Sequence, residues 1–189
     1  MNNKILWSGQ NSHWGGLEAA TRTWADLGMK TVMVRQTPES VLLDNTGELV
    51  EPTFEKLAKF QNEFGVKYHF HPFDLEVKGK FLTLATPEER KITKGFLTGL
   101  DQMIDKYSFY PLITLHLPFF ARPKQGILMD EKEALNQAIS FYQDLDLKVN
   151  VALETMHGPF MNGDSGTALL GYRASQFIGI IGKKDIGLC

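Results

Sequence analysis

The sequence predicts an α/β fold, a partial (β/α)8 TIM barrel of about five and a half βα units with parallel strands. Three apolar runs carry the argument, because each ends in a residue able to bind a metal: Tyr68-His69-Phe70-His71, Leu112-Ile113-Thr114-Leu115-His116 and Val149-Asn150-Val151-Ala152-Leu153-Glu154. Chemistry delivered from the carboxyl ends of successive parallel strands is how such a barrel builds an active site. A fourth run, Asp185-Ile186-Gly187-Leu188-Cys189, has barely begun when the 189 residues end, so the barrel is expected to be incomplete. Complete barrels take about 250 residues. An open doubly wound sheet places its site at one switch point, and repetition over three strands argues against it.

Each element has a local reason. Lys4-Ile5-Leu6-Trp7 reads as the first strand. After Gly15-Gly16, the positions Leu17, Ala20, Trp24 and Leu27 recur at helical spacing and Gly28 supplies a stop. Thr31-Val32-Met33-Val34 is a β-branched second strand; residues 39–52, with Asn45-Thr46-Gly47, read as a loop or a short excursion before a helix bearing Leu57, Phe60 and Phe64. Residues 68–71 make the third strand. Thr86-Pro87-Glu88-Glu89 then starts a helix, with Thr86 as cap, Pro87 in the first helical position and Glu89 closing a capping box. Phe96, Leu100, Met103, Ile104 and Tyr107 line one side of it. Residues 112–115 are strand four, and Asp130 with Glu133 opens a helix carrying Leu135, Ile139, Tyr142 and Leu145. Residues 149–153 are strand five, and a helix over 172–181 leads to a sixth strand at the end.

Composition narrows the function. With 43% hydrophobic residues and no low-complexity linker, residues 1–189 read as a single, incomplete barrel domain. No stretch reaches the roughly 18 apolar residues of a membrane span, and Met1-Asn2-Asn3-Lys4 lacks the regions of a secretory signal. The expected compartment is therefore cytoplasmic, with no membrane partner. Cys189 is the single cysteine, which excludes an internal disulfide and a multi-cysteine zinc site. Any metal must be held by imidazole and carboxylate. A net charge of -2 and a pI near 6.2 give no general attraction to nucleic acid. Cations do gather in loops placed on the reactive face, at Lys78 and Lys80 and at Arg122 and Lys124. They are either ordinary solvated charges or a phosphate grip, with Arg122 and Lys124 the candidate substrate contacts.

His71, His116 and Glu154 stand about 40 residues apart, roughly one βα unit each, so a barrel would bring them to one rim. Imidazole and carboxylate together suit Zn²⁺, or alternatively Mn²⁺, and such an ion lowers the pKa of a bound water toward neutrality. A histidine at a strand end can equally be a hydrogen-bonded structural residue, and Glu154 can equally close a salt bridge across the barrel mouth. Glu154 is the catalytic candidate, because a carboxylate that ends an apolar run is costly unless it is used. His69 shares a strand face with His71 and is a substrate-binding candidate, as is His157 in the loop after Glu154. His13, at the top of the first strand, is a weaker substrate contact, and Gly163-Asp164-Ser165-Gly166 is a turn rather than a phosphate loop.

At these residues the sequence resembles the xylose isomerase-like TIM barrel superfamily, which includes endonuclease IV and many sugar or sugar-phosphate isomerases and epimerases. Gly15-Gly16-Leu17-Glu18-Ala19-Ala20 is similar to the glycine pair opening the first helix of endonuclease IV relatives. His71-Pro72-Phe73, Leu82-Thr83-Leu84-Ala85-Thr86, Thr114-Leu115-His116-Leu117-Pro118 and Ala152-Leu153-Glu154-Thr155 resemble that family's two histidine segments and its metal-bridging glutamate. Ile186-Gly187-Leu188-Cys189 resembles the strand that leads into an Asp-x-x-His ligand pair, which this sequence does not contain. Residues 74–81 separate His71 from its matching helix start by more than the family pattern allows.

The resemblance implies that His71 and His116 are metal ligands and that Glu154 binds or bridges metal. Its first branch implies zinc-dependent cleavage of the DNA backbone at an abasic site. Its second implies an isomerase or epimerase in which a divalent ion polarises a carbonyl and glutamates move a proton. The expected partner is accordingly a phosphate-bearing substrate, abasic DNA or a sugar phosphate, with endonuclease IV-like hydrolysis the leading expectation. A catalytically incomplete fragment that needs a partner, or a homodimer joined through open barrel edges, is the further alternative.

Overall fold

A computed structural model of the protein describes residues 9–10, 16–38, 40–72, 76–77, 80–81, 84, 86–115, 119–121, 131–154, 167–169 and 186–188. Its frame is a six-stranded parallel sheet formed by β1 (Gly9–Gln10), β2 (Thr31–Arg35), β3 (Lys67–His71), β6 (Leu112–Leu115), β8 (Asn150–Leu153) and β10 (Ile186–Leu188). These six neighbour one another in the order in which the chain makes them, and every pairing is parallel. Sequential parallel order with a helix in the crossover is the winding of a barrel; a doubly wound sheet would reverse direction partway.

Among the described residues, four helices make return crossings: α1 (Leu17–Asp26), α2 (Glu51–Phe64), α3 (Pro87–Tyr107) and α4 (Glu131–Gln143). α3 starts as its sequence requires. The Thr86 hydroxyl accepts from the Glu89 amide, and the Glu89 carboxylate accepts from the Thr86 amide. α1 starts at Gly16, whose φ of 110° is a conformation that glycine adopts without strain, which gives the glycine at this position a local cause. Leu27 lies just past α1 and is 64% exposed, so helical spacing was a poor guide there: the helix ends before Leu27 can turn inward.

The helices cover one face of the sheet. On β3, Tyr68 and Phe70 point to that side, where Phe70 packs against Phe54 of α2 at 5.7 Å between ring centroids and Tyr68 shares a 2.6 Å hydrogen bond with Thr21 of α1. Phe109, just beyond α3, stands edge-on to both rings. The core extends through Val32, Val34, Ile113, Val151 and Leu153 to Phe96, Leu97, Leu100, Phe141 and Tyr142 on the helices. Leu42 and Leu43, in the segment before α2, are buried as well, so part of the expected loop belongs to the core.

The carboxyl-end loops carry structure of their own. β4 (Glu76–Val77) and β5 (Lys80–Phe81) pair antiparallel in the loop after β3, which accounts for the extra length at residues 74–81. β7 (Phe119–Ala121), after β6, pairs antiparallel with β9 (Thr167–Leu169), after β8, and so ties two reactive-face loops together. Neither pairing was legible from periodicity, since the strands are two or three residues long. The expected first strand at residues 4–7, the turn at 162–166 and the helix at 172–181 lie outside the described residues. Among the described residues no helix is long and apolar enough to cross a membrane.

Candidate functional site

Strand register decides which side chains share the face opposite the helices. Partners in a parallel ladder project to the same side, and side chains alternate along each strand. Since Tyr68 and Phe70 face the helices, His69 and His71 face the other way, into the concave side of the sheet. Met33 pairs with His69, and Arg35 with His71, so these two residues of β2 share that side. Phe70 pairs with Ile113, and Ile113 with Val151, which places Thr114 and Ala152 on the concave side next to His71. Glu154 is two residues past Ala152 and therefore on that side too. Its amide continues the ladder by donating to the Leu115 carbonyl at 2.8 Å, which fixes its backbone just beyond the end of β8.

There the two residues meet. His71 Nε2 lies 3.1 Å from Glu154 Oε2, with the imidazole buried and the carboxylate side chain 40% exposed. Two arrangements satisfy a nitrogen and an oxygen at this separation. Either Nε2–H donates to the carboxylate, or both lone pairs face a shared cation with arms of about 2.1 Å. The donor set is the one that divalent Zn²⁺ or Mn²⁺ accepts. Among the described residues no three His, Cys, Asp or Glu side chains converge.

His69 lies deeper along the same strand, buried, with its ring edge-on to Tyr110 at 6.5 Å between centroids. Desolvation lowers its pKa to about 4, so the ring is neutral at physiological pH. It is one layer below the His71–Glu154 contact, and its burial makes direct substrate contact dependent on a ligand that enters the interior. The polar concave face, with His69, His71 and Thr114 all buried, contrasts with the apolar layer under the helices. His116, Arg122, Lys124 and His157, like His13 and Lys78, fall outside the described residues, while Lys80 sits in β5.

Two features were missed from sequence. Arg35 adjoins His71 only through the β2–β3 register, and nothing in Thr31-Val32-Met33-Val34-Arg35 marks its last residue as functional. Asp101, in the middle of α3 and buried, accepts from the amides of Lys148 and Val149 at 3.1 and 3.0 Å. It anchors the entry to β8, the strand that carries Glu154; its only sequence signal is a carboxylate between the buried positions Leu100 and Ile104.

No family model and no curated protein matches this sequence. Solved structures do match. A D-tagatose 3-epimerase-like protein superposes with a TM-score of 0.68 at 13% identity, over 97% of this chain and 64% of its own. A D-psicose 3-epimerase, solved in the presence of D-fructose, gives 0.63 at 14% identity, over 97% of this chain and 60% of its own. A xylose isomerase domain protein from Planctomyces limnophilus gives 0.55 at 14% identity, over 96% and 60%. The chain thus has the fold of the xylose isomerase-like TIM barrels, and it spans about three fifths of the length of the structures it matches.

Proposed function

We propose that this chain carries part of the active site of a divalent-metal-dependent sugar or sugar-phosphate isomerase or epimerase. The observation that carries the reading is the meeting of His71 and Glu154 at the carboxyl ends of strands that are not neighbours, on a fold shared with ketose 3-epimerases. His71 and Glu154, with His116 as the third ligand expected from its strand, would hold the ion. When bound, a Zn²⁺ or Mn²⁺ ion polarises the carbonyl of a ketose or aldose.

The chain's own residues do the rest. Glu154, half-exposed at the mouth, takes the proton from the carbon next to that carbonyl; in an isomerase it delivers that proton to the neighbouring carbon, whereas an epimerase needs a second acid to deliver one to the opposite face. The buried His71 imidazole orients the carboxylate, and neutral His69 below it keeps the floor of the site uncharged. His157, Arg122 and Lys124 are the loop groups proposed to contact substrate.

The endonuclease IV-like reading gives way to this one. Its distinguishing support was histidines on two successive strands, whereas the similar solved structures are sugar epimerases and a xylose isomerase domain protein. Association through β1 and β10, the edge strands of the sheet, is proposed as the way in which a second chain would complete it.

The deciding experiment offers the purified protein, loaded with Mn²⁺ or Zn²⁺, a panel of ketoses and ketose phosphates and follows epimer formation by chromatography, beside an abasic-site duplex. Turnover of a sugar that disappears in Glu154→Gln supports the reading. Cleavage of the duplex with no sugar turnover would replace it with the hydrolase.

A further inference from the structure

We propose that Arg35 is a substrate-binding residue of this site and that it takes the phosphate of a phosphorylated sugar; the inference rests on the isomerase reading above and names its substrate class. Arg35 is the last residue of β2 and the register partner of His71. Ladder partners sit about 4.8 Å apart and point to the same side, so the guanidinium leaves the concave face beside the imidazole at the strands' carboxyl ends. The residue is half-buried, placed between the polar interior and solvent.

The order of the strands gives the site a polarity. Going around the sheet from β2 through β3 and β6 to β8, the mouth presents Arg35, then His71, then Glu154. An anionic group on a ligand is repelled at the Glu154 end and drawn to the Arg35 end. A sugar phosphate placed with its reacting carbons at His71 and Glu154 therefore directs its phosphate toward β2. Guanidinium offers a planar fork of donors that matches phosphate oxygens.

The backbone at Arg35 is held in advance. Its carbonyl accepts from the Ser40 hydroxyl at 2.7 Å, and Ser40 Oγ in turn lies 2.7 Å from Thr37 Oγ1. Gln36 Oε1 accepts from the Leu43 amide at 3.3 Å, and Ser40, Leu42 and Leu43 are buried. A segment tied down this way fixes the backbone from which the arginine projects, which lowers the ordering cost of binding.

The test compares wild type, Arg35→Gln and Arg35→Lys by calorimetric titration with fructose 6-phosphate, fructose and inorganic phosphate. The expected result is that wild type binds the phosphorylated sugar, that Arg35→Gln weakens it roughly tenfold or more while leaving fructose unchanged, and that Arg35→Lys falls between. Equal losses for both sugars, accompanied by a lower Tm, would reduce Arg35 to a structural role and overturn the proposal. So would wild type with no preference for the phosphorylated sugar, or Arg35-dependent binding of an abasic-site duplex in preference to it. Turnover and metal content report separately on the isomerase reading: Arg35-dependent sugar-phosphate binding without turnover or bound metal defeats that reading and leaves the phosphate site standing.

Discussion

Glu154 reaches His71 across an intervening strand. The sheet order puts β6 between β3 and β8, so in a flat sheet the two backbones would stand about 9.6 Å apart, two strand spacings. Their side chains nevertheless meet at 3.1 Å. Side chains perpendicular to a flat sheet run parallel and stay apart; those on the concave side of a curved one converge. Two long side chains leaning over β6 close that gap, as the inward curve of a barrel favours, and the contact brings together residues far apart in the chain.

That convergence predicts metal binding. Wild type should retain Zn²⁺ or Mn²⁺ near stoichiometrically by elemental mass spectrometry, and Glu154→Ala and His71→Ala should each weaken it about 100-fold or more. Glu154→Gln, which keeps the shape and removes the charge, should resemble Glu154→Ala. Equal metal content in all four proteins would mean that the contact is only a hydrogen-bonded pair.

His69 predicts an acid limb of stability. Burial holds its folded pKa at about 4, below the ordinary 6.5, so the unfolded chain binds this proton more readily. The contribution is fully present above pH 6.5 and is lost as pH falls from 6.5 toward 4, at about 1.4 kcal/mol per unit, on the order of 3 kcal/mol in all. Urea denaturation at a series of pH values should show this slope in wild type and a shallower one in His69→Gln. Parallel profiles would assign the acid sensitivity elsewhere.

Asp101 should matter for the position of Glu154 as well as for stability. Asp101→Ala leaves the Lys148 and Val149 amides without their acceptor and should cost about 2 kcal/mol; Asp101→Asn keeps an acceptor oxygen and should cost less. Denaturant midpoints give the comparison. If both substitutions are neutral, the clamp on β8 is redundant.

Gly9 is set by a close approach. A Cβ there would stand 2.2 to 2.5 Å from ring atoms of Trp24, so α1 packs on β1 only because the strand has no side chain at that point. Gly9→Ala should destabilise by about 1 to 3 kcal/mol, and Trp24→Leu should restore part of the loss in the double variant. Additive losses in a double-mutant cycle would disprove the contact.

How much was legible depended on whether the signal was local. The capping box at Thr86 and Glu89, the helical stripe of Phe96, Leu100 and Ile104, and the apolar runs of β3, β6 and β8 are properties of neighbouring residues, and the sequence alone determined them. His71 and Glu154 stood out as candidates in the same local way, because a ligand-type residue closing an apolar run is conspicuous wherever the strand lies. Only the tertiary structure decided what those residues touch. Register made Arg35 the neighbour of His71, strand order let Glu154 reach His71 over β6, and packing set Asp101 under the start of β8. Each of these depends on backbone hydrogen bonds between strands or on packing between layers, interactions with no period in the chain. Burial, equally, makes His69 a neutral interior ring, which no sequence pattern shows, since desolvation is a property of the surroundings and not of the residue.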